Sequence, residues 1–406
     1  MKTISFIQPS RNNLKYLKWS YNSIRKNLGY RHEICMADDA SDDGTWMWMN
    51  KIADKDKNVK IHRNYGPKRL GHTILYDTLI NDYATNDIVM IYHADMYACP
   101  NMDVEVLKHL ERGKVVSATR IEPPLHPDGP EKILQDFGIE PEEFDELGLL
   151  KFLEEDKQTG DNKLTDGIFA PWAIYKDDFT SIGGHDPLYA PQSKEDSDIF
   201  NRFQLAGYET IQTWQGFVYH MTCRGSRFKD GALRNPAGQV FMKGRESSEW
   251  LRQNLRSTRN FIRKWGHMVK HDEYLKPIVP PKYNIGFLAY NCDINLLREL
   301  EPWCSKIYLD SGSDYMTDYK KDEQFDTQFD LDEKIKMYGN LKPSELSSDI
   351  IIEFDCRKLT PENFQILVNL SEILQESGEI GEMELEIYKF HIKSLKTYEK
   401  DLILVK

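Results

Sequence analysis

Short apolar runs that end in polar or acidic residues organise the first half of this chain. His32-Glu33-Ile34-Cys35-Met36-Ala37 runs into Asp38-Asp39-Ala40-Ser41-Asp42-Asp43-Gly44-Thr45, and Asp87-Ile88-Val89-Met90-Ile91-Tyr92 runs into His93-Ala94-Asp95. A run of this length reads as a buried strand. Thr3 to Gln8 is a first strand of the same kind, with Pro9-Ser10-Arg11-Asn12 as a polar loop at its end. Leu14, Leu17, Tyr21 and Ile24 then recur at near-helical spacing. Thr45 to Ala53 reads as the next helix, Val59 to His62 as a short strand and Gly71 to Tyr83 as a third helix. Strand and helix alternate, which predicts an α/β fold with a mostly parallel sheet covered on both faces. In such a sheet, ligands bind beyond the carboxyl ends of the strands.

Lys114 to Thr119 is a further strand, followed by prolines from Pro123 to Pro130. Residues 128–161 form an acidic insertion carrying Phe137, Phe144, Leu147, Leu149, Leu150 and Phe152. Those apolar positions predict a helical flap, because a disordered acidic run carries few aromatics. Glu195-Asp196-Ser197-Asp198 opens a helical pattern that Gly207 stops, and a strand over Glu209 to Gln212 and the segment Phe217-Val218-Tyr219-His220 follow.

Residues 246–269 read as a basic amphipathic helix, with Trp250, Leu251, Leu255, Ile262, Trp265 and Val269 near one face and Arg252, Arg256, Arg259 and Arg263 largely elsewhere. Its basic face is expected to be solvated, with a membrane surface as the alternative. The prolines of Pro277 to Pro281 mark a linker. The expected division is a first domain over 1–270 and a smaller accessory α/β domain over 282–406, with strands at Asn284 to Tyr290, Lys306 to Asp310 and Asp349 to Asp355. The end of this second domain loosely resembles the last part of a methyltransferase-type sheet, but no Gly-x-Gly-x-Gly follows its first strand.

The two acid-bearing motifs resemble those of the nucleotide-diphospho-sugar transferases of glycosyltransferase family 2, whose domain has the Rossmann-like GT-A fold. The first motif matches closely, and the second departs from the family's Asp-x-Asp because His93 stands where the first Asp would be. The resemblance covers roughly Met1 to Arg227 and implies a metal-dependent, inverting hexosyltransferase acting on a nucleotide-sugar donor, most commonly a UDP-sugar. It implies Asp95 as a metal ligand, with His220 as a second ligand from the far end of the domain. His93 is left to the metal, to the ribose or to packing, beside Ala94 in the same segment.

Asp38 and Asp39 are expected to face the nucleoside, where a carboxylate accepts from base N–H groups or sugar hydroxyls. Pro9, Ser10 and Arg11 at the adjacent strand end line the same pocket, and Arg69 resembles a family position that meets the nucleotide. Asp42 or Asp43 serves as a helix cap before Thr45. Glu195-Asp196, preceded by Gly183-Gly184-His185-Asp186, resembles the family's Glu-Asp pair and assigns Asp196 as the base that deprotonates an acceptor hydroxyl. Acids in the first turn of a helix are also favoured by its dipole. Arg224 and Arg227 are candidates to clamp the diphosphate, and Trp172 and Tyr189 to stack on the acceptor sugar. Oxygen ligands suit Mg2+ or Mn2+, and an added imidazole favours Mn2+.

The net charge of -12 argues against a nucleic-acid partner. Six scattered cysteines without a Cys-x-x-Cys pair indicate neither a zinc knuckle nor a disulfide framework. The chain has no apolar run long enough to span a bilayer, and Met1 to Ser10 lacks the basic start and apolar core of a secretory signal, so a cytoplasmic setting is expected. The acceptor is a glycan, lipid-linked or protein-linked hydroxyl in this reading. Two alternatives remain: a non-catalytic sugar-binding protein that keeps the fold, and a nucleotidyltransferase, which would normally need the glycine-rich phosphate loop that Gln8-Pro9-Ser10-Arg11 does not supply.

Overall fold

The computed structural model describes residues 2–159, 163–222, 224, 231–242, 244, 246–310, 313–339 and 341–405. They form two compact units. The first comprises Met1–Gln253, His271–Pro277 and Val405–Lys406, and the second Asn254–Lys270 and Ile278–Leu404.

The first unit opens with β1 (Ile4–Ser10), α1 (Leu14–Asn27), β2 (Glu33–Asp39), α2 (Thr45–Lys55), β3 (Val59–Asn64), α3 (Gly71–Thr78) and β4 (Ile88–Ile91). Every residue of β1, β2 and β4 is buried, as apolar runs of this length require. There follow β5 (Met96–Ala98), α4 (Met102–His109), β6 (Lys114–Glu122), β7 (Lys132–Leu134), α5 (Glu146–Thr159), β8 (Leu164–Thr165), β9 (Trp172–Tyr175), α6 (Lys176–Ser181), α7 (Glu195–Leu205) and β10 (Glu209–His220). The main sheet runs β3-β2-β1-β4-β9-β6-β10-β5, with β7 beside β6 and β8 beside β10. β1 pairs in parallel with both β2 and β4, so chain order reverses at β1 and leaves a crevice at its carboxyl end. β9 is antiparallel to both β4 and β6.

The two segments expected at 209–212 and 217–220 are one strand with an irregularity between Thr213 and Phe217. That irregularity sets Tyr219 against Ile121. Continued in the register of Thr213 against Ala118, the strand would instead set Phe217 against Glu122. His220 therefore ends beside Glu122, and on its other side it pairs with Met96. Within the described part of the acidic insertion, Phe137 and Leu149, with Phe144 and Phe152, pack on Tyr97, Phe217 and Tyr219, whereas Leu147 is exposed.

A hairpin of β11 (Ala232–Arg234) and β12 (Val240–Met242) precedes α8 (Ser248–Trp265), which contributes its residues from Asn254 onward to the second unit. The rest of that unit is a six-stranded sheet, β13 (Ile285–Tyr290), β14 (Lys306–Leu309), β15 (Ile335–Met337), β16 (Ile350–Asp355), β17 (Gly381–Leu385) and β18 (Tyr388–Ile392), in the order β15-β14-β13-β16-β18-β17. The basic face of α8 is only partly left to solvent: Arg252 is exposed, whereas Arg259 and Arg263 are paired. Arg263 Nη2 lies 2.6 Å from Glu301 Oε2, Arg259 Nε 2.8 Å from Glu323 Oε1, and Lys334 Nζ 2.7 Å from Glu301 Oε1. Burial opposes the charge on Glu301, but Lys334 and Arg263 overcome it and hold the carboxyl well below its ordinary range. No helix among the described residues is long and apolar enough to cross a membrane.

Candidate active site

The loops after β1 and β2 are tied to each other. Asn12 N donates to Ser41 Oγ at 2.9 Å, Asp42 N to Asn12 Oδ1 at 3.0 Å, and Leu14 N to Asp43 Oδ2 at 2.9 Å. Asp43 also accepts from Thr45 N at 3.0 Å, but the N-cap of α2 is Gly44, which carries no side-chain cap, so the expected capping by Asp42 or Asp43 is not what the helix start shows. Ser10 stands opposite Asp38 across the β1–β2 ladder, and Pro9 opposite Ala37.

Asp38 and Asp39 have different surroundings. Asp38 is fully buried; Oδ1 accepts from Ser41 N at 3.0 Å, while Oδ2 lies 3.2 Å from Arg63 Nε without a hydrogen bond. Ser10 Oγ is likewise buried with no protein partner. Buried polar atoms are normally satisfied, so these two are suited to receive a ligand. Asp39 is instead filled by the protein: it accepts from Asn64 Nδ2 at 2.7 Å, Leu70 N at 3.0 Å and Gly71 N at 2.9 Å, with Arg69 Nε at 3.6 Å. Asp39 thus anchors the start of α3. Arg69 also donates to Gln192 Oε1 at 2.9 Å, and Arg11 is exposed in the loop after β1.

His93, Asp95 and His220 meet beyond the ends of β4 and β10, with ligating atoms all within 4.8 Å of one another. His220 Nε2 lies 3.3 Å from Asp95 Oδ1, and the rings of His93 and His220 are 5.5 Å apart. Ala94, between the two ligand candidates, is buried in the core. Burial and the neighbouring charge of His220 push the His93 imidazole down to about 3, which leaves a neutral ring with a lone pair to give. Burial opposes ionisation of Asp95, but the charge and hydrogen bond of His220 outweigh it and lower its pKa. Burial also opposes charging of His220, yet Asp95 and Glu122 raise it to about 9. Two imidazoles and a carboxylate converge here, a donor set that fits a divalent transition ion such as Mn2+ once His220 gives up the proton on its ligating nitrogen.

The acid pair lies at the N-terminus of α7. Glu195 is buried with Oε2 unpartnered, and Asp196 is half-buried beside it. Burial, then the charge of Asp196, lifts Glu195 well above the ordinary carboxylate range; burial also lifts Asp196, against the pull of His185 and Arg120. The same helix turn is braced from below, because Asp198 is salt-bridged to Arg202 at 2.8 Å and Arg202 donates to Ile182 O at 2.9 Å. Asp77 accepts from His185 N at 2.9 Å, and a Cβ on Gly184 would stand 2.1 Å from that carboxylate, so the Gly-Gly segment closes on α3 only without a side chain.

Other expected residues lie elsewhere. Arg224 donates to Ile139 O, lies 3.2 Å from Glu140 Oε1 and packs over the Tyr16 ring, so it is engaged by the acidic insertion. Arg227 lies outside the described residues. Trp172 and Tyr189 are fully buried; Trp172 packs among Phe179, Phe200 and Phe203. These two are core residues, not an acceptor platform. Sequence reasoning missed His72 and Glu122. His72, in the first turn of α3, stacks on His93 with ring centroids 6.3 Å apart, and Glu122 lies 2.7 Å from His220 Nδ1. Glu122 carried the same signal as Asp38, an acid at the carboxyl end of a strand.

Residues 5–182 match the family model described as Glycosyl transferase family 2. The first unit carries a glycosyl transferase family 2 domain. Its GT-A fold follows from the same match together with the sheet order. Solved structures similar to the chain include GalNAc-T7 with UDP, GalNAc and Mn2+ (13% identity, 54% of this chain and 43% of that one, TM-score 0.41). Others are the mannosyltransferase PcManGT from Pyrobaculum calidifontis with GDP-Man and Mn2+ (17%, 54% and 56%, TM-score 0.37) and S. aureus TarS 1-349 with UDP (17%, 54% and 60%, TM-score 0.38). The chain spans only about half the length of these structures, from 43% to 60%. No curated protein sequence matches it. In the glycosyltransferase domain the first motif lies within the matched residues, whereas the acid pair and His220 lie beyond residue 182.

Proposed function

We propose that this glycosyltransferase domain moves a sugar from a nucleoside-diphosphate sugar to an acceptor hydroxyl, with inversion at the anomeric carbon and with the help of a divalent cation. The observation that carries the reading is the convergence of His93, Asp95 and His220, all ligating atoms within 4.8 Å. Bound there, Mn2+ would offset the charge that develops on the departing diphosphate. Ser10 Oγ and Asp38 Oδ2, which make no hydrogen bond within the protein although Oδ2 is ion-paired with Arg63, hold the nucleoside, and Arg11 and Arg69 supply positive charge at the same strand ends. Asp196 takes the proton from the acceptor hydroxyl as that oxygen attacks opposite the diphosphate, and one displacement of this kind inverts the configuration. Glu195 raises the basicity of the pair by its proximity.

A UDP-sugar is the donor in this reading, and the acceptor is a hydroxyl on a glycan or on a lipid- or protein-linked sugar. The second unit acts as an accessory domain outside donor binding, and the setting is cytoplasmic. Incubating the full chain with a panel of UDP-, GDP- and dTDP-sugars and Mn2+, and following release of the nucleoside diphosphate, tests the activity. Product NMR then reports the anomeric configuration. Tight nucleotide-sugar binding with no turnover toward water or any acceptor would favour the non-catalytic alternative.

A further inference from the structure

Glu122 touches neither donor nor acceptor in the reading above, yet it is almost fully buried at the head of the site. Its Oε1 lies 2.7 Å from His220 Nδ1 and 3.3 Å from Arg120 Nη1, and its Oε2 lies 3.6 Å from Lys132 Nζ. Arg120 and Lys132 are in turn fixed by Glu131, at 2.9 Å and 3.4 Å. Lys132 stands opposite Arg120 across the β6–β7 ladder, while His220 belongs to β10, which also pairs with β6. An ionised carboxylate only accepts, so the proton on this contact belongs to His220 Nδ1. The remaining nitrogen, Nε2, faces Asp95 at 3.3 Å, and the proton on that contact would have to leave for an ion to take its place.

We infer that Glu122 is the positioning residue of His220: it holds Nδ1–H, fixes the ring plane and directs the Nε2 lone pair toward the ion that Asp95 and His93 share. This rests on the metal reading given above. The alternative is that Glu122 only neutralises Arg120 and Lys132. The two differ in what reach, as opposed to charge, contributes. Partners of this kind are worth about 10- to 100-fold in metal affinity.

The test is titration of the full chain with Mn2+ alone, with free Mn2+ followed by EPR, for the wild type, Asp95→Ala and Glu122→Asp. Glu122→Asp keeps the charge beside Arg120 and Lys132 and withdraws the oxygen from His220. We expect about 10- to 100-fold weaker Mn2+ binding in Glu122→Asp, with an unfolding midpoint in EDTA equal to that of the wild type. Wild-type affinity in Glu122→Asp, with loss in Asp95→Ala, overturns the role of Glu122 and leaves the metal site standing. Equal affinity in wild type and Asp95→Ala overturns the metal site itself. If Glu122→Asp does not fold, 15N-histidine NMR of the wild type loaded with 113Cd2+ decides. Coupling of cadmium to His220 Nε2 with Nδ1 protonated supports the inference, and coupling to Nδ1 overturns it.

Discussion

Asp39 accepts the backbone N–H of Gly71 at 2.9 Å, so the second acid of the first motif joins the end of β2 to the start of α3. Gly71 has φ +75°, and a Cβ there would stand 2.0 Å from the carbonyl oxygen of Pro191. One contact thus packs the donor-side helix against the segment that leads into Glu195 and Asp196.

Gly71→Ala should therefore separate the two halves of the site. Backbone strain and overpacking together predict a loss of about 2 kcal/mol or more in stability. Urea melts measure this, and nucleotide affinity should fall in the same variant. Unchanged stability would mean that the Pro191 segment moves aside freely.

Asp196→Asn keeps shape and loses the ability to accept a proton. Transfer to acceptor should fall by about 10²-fold or more, with donor affinity nearly intact. Near-normal turnover in steady-state kinetics would reassign Asp196 to the helix terminus.

Burial and mutual repulsion raise Glu195, and burial raises Asp196, so the pair gains its charge at higher pH than ordinary carboxylates. A base works only when ionised. Transfer should therefore climb with pH and be lost on acidification at a higher pH than an ordinary carboxylate would give. A profile of kcat/KM that stays flat down to about pH 5 would contradict an unbound pair with raised values.

Glu301 is fully buried between Arg263 and Lys334, and removing it strips Lys334 of that carboxylate and leaves Arg263 with Glu323. Glu301→Ala should destabilise the second unit by about 3–5 kcal/mol. Denaturant unfolding of the full chain should then show an earlier transition, with nucleotide binding to the first unit retained. A single unshifted transition would show that the arginines of α8 find other partners.

The sequence was most legible where strands are short, apolar and parallel. Ile34 to Ala37 and Ile88 to Ile91 became β2 and β4, and the acids after them came to the sheet edge as expected. Strand direction was not legible: nothing in Trp172 to Tyr175 says that β9 runs antiparallel between β4 and β6. Glu122 was missed because Arg120 breaks the apolar run after Thr119, and the groups that make a buried arginine tolerable there, Glu122 and Glu131, are evident only once β7 is in place. The arginines of α8 read as a solvated face because Glu301 and Glu323 are distant in sequence. Asp38 and Asp39 read alike, and only the hydrogen bonds from Asn64, Leu70 and Gly71 distinguish the anchoring acid from the one with an oxygen to offer.

The central claim is that His93, Asp95 and His220 hold the ion through which a nucleotide-sugar donor is bound. Calorimetric titration of UDP into the full chain, in Mn2+ and in EDTA, for the wild type and Asp95→Ala, tests it most directly. UDP should bind the wild type at least about tenfold more tightly in Mn2+ than in EDTA, and Asp95→Ala should show no Mn2+ dependence. UDP binding that is equally tight in EDTA, or Mn2+-linked binding that survives Asp95→Ala, would contradict it.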